Sequence, residues 1–135
     1  MSFVYRITPS GNHVEVVGTG RLTTRECIGL VKRILSDPRR HSNATALIDL
    51  RDATYRPRSL SDVIKIAQSV GMFRNLLKSN VAIVARRSTL FLAEILSTAI
   101  RKATRVSIKV FVDLSAAKKF CRKASIATGS PARHK

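Results

Sequence analysis

The sequence predicts one α/β domain with a mixed, mainly parallel sheet, an N-terminal hairpin and the element order ββαβαβαβα. Three observations carry this. The short, nearly continuous apolar runs NATALIDL, NVAIVARR and VSIKVFVD suit strands covered on both faces. Between them, apolar residues recur at three- and four-residue spacing, as in helices laid against a sheet. Strands alternating with helices call for parallel pairing through right-handed crossovers.

Taken in order, FVYRIT (Phe3 to Thr8) and HVEVVGTG alternate on either side of the turn PSGN, which reads as a hairpin. TTRE (Thr23 to Glu26) has capping-box spacing, and Cys27, Leu30, Val31 and Ile34 follow at helical intervals, predicting a helix over 24–36 that Asp37-Pro38 ends. Asn43 to Leu50 is the next strand, and the crossing Arg51 to Arg58 leads to SLSD. There Ser59 and Ser61 are cap candidates for a helix with Val63, Ile64, Ala67 and Val70 on its core face. Asn80 to Arg87 is a strand, and Ser88 is expected to cap a helix with core residues Phe91, Leu92, Ile95, Leu96 and Ala99. Val106 to Asp113 is the last strand, and Asp113 caps a short final helix, LSAAKKFC. The domain is expected over 1–122, with 123–135 a disordered basic tail. Nothing in the apolar spacing signals a large internal cavity.

At 135 residues and 44 % apolar content the chain can bury one core of ordinary size. No apolar run is long enough to span a membrane, and MSFVYRITPSG lacks the basic-then-apolar order of a secretory signal, so a cytoplasmic location is expected. Cys27 and Cys121 read as buried free thiols. The charge is the outlier: 25 Lys and Arg against 8 Asp and Glu give +17. Only Arg122, Lys123, Arg133 and Lys135 of these lie at the C-terminal end, so the excess belongs to the domain. Such a field attracts acidic proteins, nucleic acid or anionic surfaces.

Catalytic chemistry has little to stand on. His13, His41 and His134 fall in no metal-ligand spacing, and no phosphate-binding or nucleophile motif is present. Asp49 and Asp52 are the only close carboxylate pair near a strand end, a weak signal for acid–base work. No enzyme, cofactor or metal is expected. The favoured site is instead the carboxyl edge of the strands, where loops run into helix N-termini. Arg51, Tyr55, Arg56 and Arg58 from one loop and Arg86, Arg87 and Ser88 from another would form an anion- or partner-binding edge.

LTTRE, LIDLRDAT, SLSDVIKIA, VAIVA with a following LF, and IKVFVDLSAAKKF together resemble the STAS-domain superfamily, in its small bacterial SpoIIAA-like branch. The resemblance spans about residues 3 to 122. It implies a βα superhelix over a mixed sheet and a non-enzymatic regulatory module that binds a protein partner, such as a kinase or an anti-sigma-type regulator. It also implies a phospho-acceptor serine at the start of the helix after the third strand, which falls on Ser59 or Ser61, although the family's Asp-Ser-Ser-Gly-like motif is absent. Nucleic-acid binding through the basic surface is one alternative; the low aromatic content of 5 % speaks against stacked single strands. Binding of a small anionic or lipid-like ligand at the strand carboxyl edge is the other. A homodimer through the edge of the first strand is compatible with the residues.

Overall fold

In a computed structural model, residues 2–41, 43–71, 80–104 and 106–129 are described. The elements are β1 (Phe3–Ile7), β2 (His13–Leu22), α1 (Thr24–Leu35), β3 (Thr45–Tyr55), α2 (Leu60–Gly71), β4 (Val81–Val84), α3 (Leu90–Thr104), β5 (Ile108–Phe111) and α4 (Leu114–Gly129). This is the expected order. The five strands form one sheet in the order β1-β2-β3-β4-β5, with β1 and β2 antiparallel and every later pair parallel.

Local chemistry sets these boundaries. The hairpin turn needs Gly11 at φ +76, and a Cβ there would sit 2.5 Å from the Arg39 carbonyl, so only glycine fits. At α1 the capping box is complete: Thr23 Oγ1 accepts from the Glu26 N–H, and Glu26 Oε1 accepts from the Thr23 N–H at 2.9 Å. Asp113 caps α4 by accepting from the N–H groups of Ser115 and Ala116.

The strand order places the helices. Each crossover from β2 to β5 steps to the adjacent strand with the same hand, so α1, α2 and α3 share one face. Two apolar clusters lie under them. One joins β1, β2 and α1 through Phe3, Val14, Val16 and Leu30; the other joins α2, α3, β4 and β5 through Val70, Ile83, Ile100 and Ile108. α4 covers the opposite face, where Ala117 and Cys121 pack on Leu47, Ala82 and Val84. It meets β3, β4 and β5, leaving Val4 and Val17 of the hairpin exposed.

Several expectations shift. β3 does not stop at Leu50 but runs to Tyr55, with a bulge opposite Val17/Thr19 that restores the inward phase of Ala53 and Tyr55. Ser88 is not the cap of α3. It lies in a 3-10 turn, Arg87–Thr89, where the Thr89 hydroxyl bonds the Arg86 carbonyl. The fully buried residues of α3 are Ala93, Ser97 and Ile100, with the expected Leu96 and Ala99 packed partly buried against the same cluster, while the expected Phe91 is 80 % exposed. Ile64 likewise points outward on α2. α4 continues to Gly129, past the expected short helix LSAAKKFC, and the end of the expected tail, 130–135, lies outside the described residues.

Candidate functional site

A sheet whose strands follow chain order has no point at which that order reverses, and so lacks the crevice of doubly wound folds. The edge acquires a cleft by another route. β3 pairs with β4 only from Ala46 to Asp49, then runs on alone on that side to Tyr55. The overhang leaves the Ala53 carbonyl without a β4 partner, and Arg86 Nη2 donates to it at 3.1 Å. Between the overhang and the start of α3 lies a cleft of about 360 Å³, lined by Thr54, Tyr55, Arg56, Arg86, Ser88, Thr89 and Leu92.

The structure thus brings together Tyr55, Arg56, Arg86 and Ser88 from the expected set. Arg58 and Arg87 flank them, both exposed. Among the described residues none of Arg56, Arg58, Arg86 and Arg87 forms an ion pair with a carboxylate. Thr54, Thr89 and Leu92 were missed: a threonine has no distinctive spacing signal, and the cleft depends on how far one strand outruns its neighbour. Tyr55 is anchored by a 2.8 Å hydrogen bond between its hydroxyl and Thr24 Oγ1, which joins the end of β3 to the first turn of α1.

The serines do not cap as expected. Ser59 Oγ and Ser61 Oγ are 2.7 Å apart and bond each other, and both residues are exposed. The reach-back comes from Asp62, whose carboxylate accepts the Arg58 backbone N–H at 2.9 Å, one residue upstream of a regular capping box.

Arg51 leaves the site. Side chains alternate along β3, so Asp49 and Arg51 lie on the α4 side, opposite Ile48 and Leu50. There Arg51 grips Asp49 through Nε and Nη2 at 2.9 and 2.8 Å. These bonds hold the Asp49 carboxyl below its ordinary value, the reverse of what a general acid near neutral pH requires. Asp52 is exposed, beside Thr19 of β2. A carboxyl whose folded value is depressed contributes stability above its ordinary 3.8, and loses it as pH falls through the lowered value. The stability gap between the native chain and Asp49→Asn should therefore shrink from neutral pH toward about pH 3 in urea titrations. A gap constant across that window contradicts the ion pair.

Burial pushes the Cys27 thiol up to about 12 and the Cys121 thiol up to about 11, so both stay protonated near neutral pH. Among the described residues no group of His, Cys, Asp and Glu is placed to hold a metal, and no helix is long and apolar enough to cross a membrane.

No protein-family model matches the chain, and no curated protein matches it. Among solved structures it is similar to an uncharacterised DUF3478-family protein from Shewanella loihica PV-4, described as having a SpoIIAA-like fold. The TM-score is 0.55 at 18 % identity, over 88 % of this chain and 93 % of that one. The fold is SpoIIAA-like. Within that SpoIIAA-like frame, Ser59 and Ser61 stand at the start of the helix after the third strand, as the sequence resemblance implies.

Proposed function

We propose that the chain is a non-enzymatic, STAS-type regulatory module that binds an acidic segment of a protein partner at its cationic edge. One observation carries the reading. Four arginines without a carboxylate partner among the described residues share the edge with two protruding apolar side chains, Leu60 at 64 % and Phe91 at 80 % exposure. Arginine beside an exposed aromatic is the composition of a protein-recognition hot spot, and the unpaired charge selects an acidic counterpart. The helix starts beneath add backbone N–H groups that favour the same sign.

Ser59 and Ser61 give this edge a means of regulation. Phosphate on either would face Arg58 and the start of α2, but also the Asp62 carboxylate that holds the loop. Phosphorylation would lower the positive charge of the edge and weaken an acidic partner.

Fluorescence anisotropy with a short glutamate-rich peptide and with duplex DNA, each across a salt series, tests the reading. Peptide binding that weakens with salt and exceeds DNA binding is expected. Tighter binding of DNA with a steep salt slope would move the edge to nucleic acid.

A further inference from the structure

Beneath the cationic cleft, between the sheet and the helices α1 to α3, lies a cavity of about 160 Å³ with an almost wholly apolar lining. Ala46, Ile48 and Leu50 of β3 contribute to it, with Cys27 and Val31 of α1 on the other side. These three β3 residues sit in the central strand under three helices, yet each is only partly buried. They pack against both helix-side clusters, the one under α1 and the one under α2 and α3. The cavity is the gap left where those clusters do not close over β3.

An apolar cavity of ~150 Å³ stays dry and takes up a six-carbon ring in preference to water. Left empty, its lining atoms forgo dispersion contacts, so an apolar occupant restores them. Tyr55 lines this cavity and also lines the cleft that holds Arg56, Arg86, Ser88 and Thr89. It is the residue that the two linings have in common. The apolar space and the cationic, hydroxyl-bearing space thus abut at one residue.

We infer that cavity and cleft form a single ligand site for a short alkyl or acyl chain bearing an anionic head group. A chain of about six carbons occupies the cavity. Its phosphate or carboxylate lies in the cleft between Arg56 and Arg86, within reach of the Ser88 and Thr89 hydroxyls. This rests on the reading of the edge as a surface that selects anions, and adds to it the chain and its chamber.

Calorimetric titration at constant ionic strength with hexyl phosphate, inorganic phosphate and hexanol tests it. Hexyl phosphate should bind at least about tenfold more tightly than inorganic phosphate, because the chain leaves water. Ala46→Leu, which fills the cavity from β3, should remove that advantage and leave inorganic phosphate unaffected. Val31→Leu does the same from α1 should the first variant not fold. Arg56→Ala should weaken both phosphates. Equal affinity for hexyl and inorganic phosphate, both reduced by Arg56→Ala, overturns the chamber while sparing the cationic edge. Hexanol bound as tightly as hexyl phosphate overturns the head-group assignment. Binding of none of the three overturns both the chamber and the anion-selecting edge.

Discussion

Replacing Arg56 and Arg87 together by glutamate is expected to weaken binding of the glutamate-rich peptide by between about ten- and a hundredfold. Both side chains are exposed, and among the described residues neither is tied to a carboxylate, so their charge is directed outward. Reversal removes two attractions and places two like charges against the peptide. Folding should be nearly untouched, within about 0.5 kcal/mol, because no core contact is lost. Arg51→Gln is the internal control. It breaks the pair with Asp49 on the α4 side of β3, and should leave peptide affinity unchanged. Ser59→Asp and Ser61→Asp should move affinity in the same direction as the arginine reversals, by less. Unchanged affinity in both serine variants would remove the phospho-switch and leave the arginine edge standing.

The second large effect is on stability. Ile83→Ala should cost about 3 kcal/mol in denaturant unfolding, within the usual span for truncating a buried isoleucine. Ile83 is 3 % exposed, lies in β4 between two parallel neighbours, and already borders the cavity under the helices. Truncation there enlarges an existing void that the surrounding strands are too constrained to fill. The loss is a large part of the roughly 5–15 kcal/mol that holds a domain together. Phe91→Ala removes a larger side chain, yet should cost under about 0.5 kcal/mol, since Phe91 stands in solvent. A costly Phe91→Ala would contradict the exposure of Phe91 and return it to the core face that its spacing suggests.

That contrast shows where the sequence is readable. Element order, the hairpin, the capping box at Thr23 and Glu26 and the Asp113 cap all follow from residues within a few positions of one another. Local hydrogen bonding decides them. Phe91 and Ile64 are exposed because apolar spacing leaves the centre of a helix's buried stripe open, and packing against the sheet and the neighbouring helices settles it. The end of β3 was misread because LRDAT looks like a loop: its charge sits on the strand's α4 side, where Arg51 and Asp49 satisfy each other. The extension from Leu50 to Tyr55 produces the overhang, the cleft and the separation of Arg51 from the other arginines. The cavity has no local signature at all, since it is a difference between two packed clusters.

The claim that the edge formed by the end of β3 and the starts of α2 and α3 is the recognition surface is tested most directly by mapping. Backbone amide spectra should be recorded as the glutamate-rich peptide is added at low salt. Shifts confined to Thr54 through Asp62 and Arg86 through Leu92, and lost when Arg56 and Arg87 are reversed, are the expected result. Shifts centred on the exposed lysines of α4, or spread evenly over the basic surface, would contradict it.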